Sequence, residues 1–275
     1  MFARPEINFE RTPVTLILAA LIAALAVVCQ LDPERYEHYY TGLRLGMSPE
    51  IWQGEVWRPF TTTLLHGGFL HALFNIYWLL VFGPLVEGRL GSYKTLALIV
   101  LFAVVASMAQ YVGVYYLYRG TWELAQAANI PFLDRYLDVQ MRLTGTGLVG
   151  LSGVNYGLFG LAWAGSRRDA QFAAVCNRDT VRLMVAWLIV CVVLTTIGAM
   201  HVANAAHTAG LVMGLLVGQA VFARRRRGWW LAGAALCTLL ALAGLLGAPG
   251  HPRYEYQHEE EQQSAVDYTG NQRDK

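Results

Sequence analysis

Ser152 stands in "GLVGLSGVNYGLFG", residues 147–160, an apolar, glycine-rich run with a single hydroxyl between Leu151 and Gly153. A serine hydroxyl is a weak nucleophile until a neighbouring base takes its proton. His207, in "HVANAAHTAGLVMGLL", is the candidate base, because a neutral imidazole costs less to bury than a charged group. Acyl transfer also needs donors for the developing oxyanion. His71 and Asn75, in "HGGFLHALFNIYW", are four residues apart and so share a helix face. The backbone N–H of Ser152 is a third candidate donor, since helix N-termini carry free amides. Tyr156, one turn after Ser152, is placed to stack on an imidazole. The apolar runs that hold these residues contain no Asp or Glu, so the chemistry suggested is that of a Ser152–His207 dyad, not a triad.

Each residue alone has a plainer explanation. A serine in a membrane helix usually packs or bonds back to its own helix. A lone histidine is more often a satisfied core residue. His71 and Asn75 could glue two helices, at about 0.6 kcal/mol a pair. Tyr156 could be an interfacial anchor. The joint occurrence changes the weight: a nucleophile, a base and two donors come from three separate runs. Each lies near the same end of its run, and the depths agree within about two turns at a rise of roughly 1.5 Å per residue.

The elements that must position them are membrane spans. The chain has 275 residues, 55% hydrophobic and only 15% charged, where a soluble domain carries about 25%. A span needs roughly 20 apolar residues. Seven runs qualify, over 14–31, 69–86, 95–117, 147–164, 183–200, 202–222 and 229–247. The first follows Arg4 and Arg11 but is long for a signal sequence and reads as an uncleaved span. A net charge of +2 is too small to suggest a nucleic-acid partner. Cys29, Cys176, Cys191 and Cys237 are scattered, and neither a disulfide framework nor a metal site is expected from them.

Lysine and arginine concentrate in alternate loops: Arg4 and Arg11, Arg89 and Lys94, Arg167 to Arg182, Arg224 to Arg227. The positive-inside rule then places the N-terminus in the cytoplasm. Loops 32–68 and 118–146 face outward, and residues 248–275 form an extracytoplasmic tail expected to be disordered. Ala203, His207, Gly210 and Gly214 fall on one stripe of the sixth run, and Gly153, Gly157 and Gly160 on one of the fourth. Two small-residue stripes allow close helix approach, which would bring Ser152 to His207.

These motifs resemble the rhomboid family of intramembrane serine proteases. The match runs from about Trp57 to Leu215, through "WRPFTTTLLHGGFLHALFN", "VEGRLGS", "GLSGVNY" and "AAHTAGLVMG" in order. The resemblance implies an all-α polytopic membrane protein. Its six-helix core would span residues 14–222 after a short cytoplasmic N-terminus, 1–13, with an added transmembrane helix over 229–247. Ser152 would be the nucleophile and His207 the general base. His71, Asn75 and the Ser152 amide would form the oxyanion hole, with Tyr156, His66 and Gly153 in support. Trp57 and Arg58 resemble a first-loop pair, Glu87 and Arg89 a structural pair at the cytoplasmic end. Phe74 and Trp187 resemble parts of a lateral gate. The expected partners are transmembrane protein substrates and the lipid bilayer, here a bacterial inner membrane, with no cofactor, metal or nucleic acid.

Two other readings stay open at this point. One is a catalytically silent rhomboid-like protein that only binds membrane helices. The other is a haem or metal protein using His66, His71, His201 and His207, although these lack a paired i, i+4 motif and a carboxylate ligand.

Overall fold

The structure, a computed structural model, describes residues 11–32, 34–128, 130–143, 149–223 and 225–251. Among these residues there is no strand. The main helices are α1 (Pro13–Leu31), α2 (Phe69–Leu90), α3 (Ser92–Met108), α4 (Val114–Ala128), α5 (Pro131–Leu143), α6 (Ser152–Gly165), α7 (Arg178–Thr196), α8 (Asn204–Phe222) and α9 (Arg227–Leu246). A π-helical turn, Ala109–Gly113, joins α3 to α4, so that one apolar helix runs over Ser92–Thr121. With α1, α2, α7, α8 and α9 it makes six described helices long and apolar enough to cross a membrane. The expected tail lies almost wholly outside the described residues.

The fourth expected span is the exception. Its helix begins at Ser152, five residues later than the apolar run, and has 14 residues. At about 1.5 Å per residue it is roughly 21 Å long, too short for a hydrocarbon core of about 30 Å. It is nonetheless the most enclosed of the main helices: Gly153 through Ala162 are all buried. Hydropathy reads how apolar a run is, and cannot tell a lipid-facing span from a short central helix walled in by other helices.

Glycine sets how closely α6 is held. A Cβ on Gly210 would lie 2.0 Å from the Gly153 carbonyl oxygen, and one on Gly214 would lie 2.0 Å from that of Gly157. A Cβ on Gly218 would come within 2.7 Å of the Leu161 carbonyl oxygen. The offset is constant, so α6 and α8 run parallel with backbone on backbone. On the α6 side Gly160 faces α8 most tightly, its Cβ position 2.6 Å from the Leu211 carbonyl oxygen, and that of Gly153 lies 3.3 Å from the Ala206 carbonyl oxygen. Gly153 and Gly157 chiefly make room for α3, whose Ala106 and Phe102 side chains occupy the space a Cβ would need. The α6 stripe therefore serves two neighbours.

The start of α1 is pinned to the end of α2. The buried Glu87 carboxylate accepts from the Val14 and Thr15 amides, both at 2.9 Å, and from the Thr15 hydroxyl at 2.7 Å. Free amides at a helix N-terminus favour an anion. Glu87 also accepts from Ser92 at 2.7 Å. Arg89, two residues on, meets Asp169 at 2.8 Å. Neither long loop, 32–68 or 118–146, is structureless among the described residues. Residues 34–64 form short helical turns around a buried Arg58, held by Glu55 at 2.5 Å and by the Gly46 carbonyl at 2.5 Å. The second loop is mostly α4 and α5. Helix α9 docks on the first loop through Trp52, whose indole donates to the Gly244 carbonyl at 3.0 Å.

The α6–α8 contact is testable by thermal unfolding in detergent. Gly214→Ala should lower stability by about 1–3 kcal/mol through overpacking. Gly88→Ala, at a helical glycine with open space around its Cβ position, should be neutral or stabilising by up to about 1 kcal/mol. Equal effects would show that backbone contact does not hold the two helices.

Candidate active site

Ser152 is the first residue of α6, and the two residues before it are tied to the first loop. The Gly150 amide donates to the Thr62 carbonyl at 3.3 Å, and the Leu151 amide to His66 Nε2 at 3.3 Å. Gly150 has φ +109°, where a side chain would be strained, and its Cβ position is 2.8 Å from the His71 ring. The backbone thus turns sharply beneath two imidazoles and leaves the Ser152 amide among the free N–H groups of a helix start. Gly147, at the start of the glycine-rich run, lies outside the described residues.

His207 sits one turn into α8, buried at 4% exposure. Its Nε2 lies 2.7 Å from Ser152 Oγ, the length of a hydroxyl hydrogen bond. The Tyr156 ring lies 5.0 Å from the imidazole centroid at 35°, a tilted contact and not a parallel stack. Its hydroxyl donates to the Met184 carbonyl at 3.0 Å, so Tyr156 also joins α6 to α7.

The proposed oxyanion donors lie on the first two turns of α2. The His71 ring sits edge-on to that of His66, centroids 5.0 Å apart. Asn75 is buried, and its amide donates to the His71 carbonyl at 3.0 Å. An amide carries two N–H donors, so one remains for another acceptor. Asn155 fixes Asn75: its amide donates to both the Asn75 side-chain oxygen and the Asn75 carbonyl, each at 3.0 Å. Sequence reasoning passed over Asn155, although an amide three residues after Ser152 in an apolar run is the kind of signal that singled out Asn75. Gln110, Gln140 and Asn204, all buried near the head of α8, were missed likewise.

His66 is outside the helix and buried. Nδ1 faces the Leu64 carbonyl at 3.3 Å while Nε2 accepts from Leu151, which only the neutral Nδ1–H tautomer satisfies. Burial, and then His71, push its pKa down to about 3, against the Leu64 bond. His201 is exposed on the loop before α8. Among the described residues no three His, Cys, Asp or Glu side chains cluster as a bound metal would need. The expected gate pair does meet, Phe74 and Trp187 having ring centroids 5.4 Å apart.

Together these features define a helical membrane protein with a serine hydroxyl bonded to an imidazole inside its bundle. Residues 53–224 match the family model described as the Rhomboid domain. The chain belongs to the rhomboid family, and is an integral multi-pass membrane protein. It is similar to the Rhomboid protease GlpG of Pectobacterium atrosepticum, 31% identical over 202 residues, 74% of this chain and 61% of that one. The proteins of the same name from Enterobacter sp. strain 638 and Salmonella choleraesuis are 30% and 34% identical, over 74% and 58% of this chain. The chain spans 61% of the length of the first two and 47% of the third.

The His66 assignment fixes a pH dependence. A histidine that titrates near 6.5 when unfolded and near 3 when folded adds stability that is fully present above pH 6.5 and is lost as pH falls towards 3. In thermal unfolding, the parent should lose more stability between pH 7 and pH 5 than His66→Gln, which cannot titrate. Matching losses would mean that His66 is not held neutral.

Proposed function

We propose that the protein is an intramembrane serine endopeptidase that cuts transmembrane protein substrates near the extracytoplasmic face. The observation that carries this reading is the 2.7 Å contact between Ser152 Oγ and His207 Nε2 within an apolar helix bundle. The similarity to proteins named Rhomboid protease GlpG agrees with it.

In this reading His207 takes the hydroxyl proton as Ser152 Oγ attacks a peptide carbonyl. The tetrahedral oxyanion is met by the Ser152 amide, by His71 and by the uncommitted N–H of Asn75. His207 then returns the proton to the leaving amine, and a water, deprotonated by the same imidazole, hydrolyses the acyl-enzyme. The free amide of Ser152 is supplied by the start of α6, and Asn155 keeps the Asn75 side chain turned to its task. Among the described residues no carboxylate bonds to the imidazole; the Tyr156 ring orients it by packing, held through Met184. A substrate helix hides its own carbonyls and must unwind to reach Ser152. It enters between α2 and α7, past Phe74 and Trp187, where Leu73, Tyr77, Leu183 and Val190 are exposed.

The charge distribution supports a cytoplasmic N-terminus and an extracytoplasmic C-terminus, with the serine end of the bundle facing out of a bacterial inner membrane. Residues 14–222 are read as the catalytic core, five long membrane helices around the short α6, and 229–247 as an additional membrane helix. The silent-binder alternative gives no reason for a base bonded to a serine.

The test is direct. Protein in detergent should label with a fluorophosphonate and cleave a model transmembrane substrate. Ser152→Ala and His207→Ala should each lower cleavage by at least about 1,000-fold. Cleavage by Ser152→Ala at the parent rate would refute serine chemistry.

A further inference from the structure

The His207-bearing helix is held at its head by groups from outside the serine site. Within the π-helical turn, Gln110 is fully buried, and its side-chain oxygen accepts from the Ala205 amide at 3.1 Å. Its amide donates to the Gln140 carbonyl at 3.4 Å. Gln140, on α5 and 2% exposed, donates from Nε2 to the Val202 carbonyl at 2.8 Å. Five residues earlier on α5, Arg135 donates to the Ile197 carbonyl at the end of α7, at 3.3 Å. Helix α5 thus bridges both ends of the turn that joins α7 to α8. The His207 amide bonds to the Ala203 carbonyl at 3.2 Å, so the imidazole is one turn from the residues that Gln110 and Gln140 hold.

Such holding is needed because α8 has no cap of its own. Ala203 at its N-cap offers no side-chain acceptor, and glycines on the α6 face leave few side chains to resist sliding. A helix packed backbone to backbone on small residues can shift along its neighbour, and a shift of about 1 Å costs roughly 100-fold in a reaction that depends on alignment.

We propose that α5 is a strap that positions His207 against Ser152, with Gln140 as the positioning residue. The proposal rests on the serine-protease reading. Gln140 touches no reacting atom; it acts by fixing Val202 and, through Gln110, Ala205. The Val202 carbonyl also accepts from the Asn204 amide at 2.9 Å, so loss of the Gln140 donor does not orphan it and the fold survives.

Two variants test this in the full chain. Gln140→Met keeps the volume and removes the donor. It should lower fluorophosphonate labelling of Ser152 and kcat on a transmembrane substrate about tenfold, with KM unchanged. Amide exchange at Ala205 and His207 should rise. Gln140→Glu presents a carboxylate to the Val202 carbonyl at neutral pH and a donor once protonated. Relative to the parent, its labelling should be low at pH 8 and recover as pH falls to about 5, which an unfolded protein would not do. Parent-like labelling and exchange in Gln140→Met, or a Gln140→Glu deficit constant across pH, would overturn the strap. A parent that labels no faster than Ser152→Ala would sink the protease reading instead, while the exchange measurement still decides whether the strap exists.

Discussion

The backbone contact between α6 and α8 is the constraint on which the rest depends. Gly210, Gly214 and Gly218 let α8 lie against the carbonyls of Gly153, Gly157 and Leu161 in a parallel register. That register carries Ser152 and His207 to 2.7 Å at one end of the pair. In lipid there is little hydrophobic force between helices, so close van der Waals contact must supply the association. Any side chain at Gly210 or Gly214 would part the helices and the hydroxyl from the imidazole together.

An apolar bundle makes unpaired polar groups costly, and several buried polar residues are tied accordingly. Glu87 takes up the free amides at the start of α1 and the hydroxyls of Thr15 and Ser92. Arg58 is enclosed by Glu55 and a backbone carbonyl, which makes the first loop rigid around a buried charge. Asn155 and Asn75 bond across α6 and α2. The ties of Glu87 to α1 and of Asn155 to Asn75 join elements far apart in sequence, so these polar groups act as registers between helices that lipid-like surfaces alone would leave free to slide.

The shortness of α6 gives the site its depth. Because the helix starts at Ser152, its free amides open inside the protein and not at a surface. The approach at Gly150 and Leu151 is bonded to Thr62 and His66, so the first loop forms part of the wall above the serine. Loop residues, three helices and a glycine turn thereby converge on one hydroxyl.

Much of this was legible in the sequence. Apolar run lengths located six long helices, and Ser152, His207, His71, Asn75 and Tyr156 stood out as polar groups in apolar surroundings, where their presence needs a reason. The glycine stripes foretold close packing, because a missing side chain is visible in a sequence. Other features depended on the tertiary structure alone. Which neighbour each glycine admits, α3 for Gly157 and α8 for Gly160, follows from the direction of its Cβ position in the packed bundle. That Glu87 caps α1 while Arg89 meets Asp169 depends on which helix ends come together. The fourth run's true start, and the bridging of α5 to the head of α8 by Gln110 and Gln140, arise from contacts distant in the chain. The residue types and spacings determined what chemistry was available and which segments could enter a membrane, since both are local properties. Partners and register were decided only by packing, because hydrogen bonds and close contacts between separate helices have no local signature.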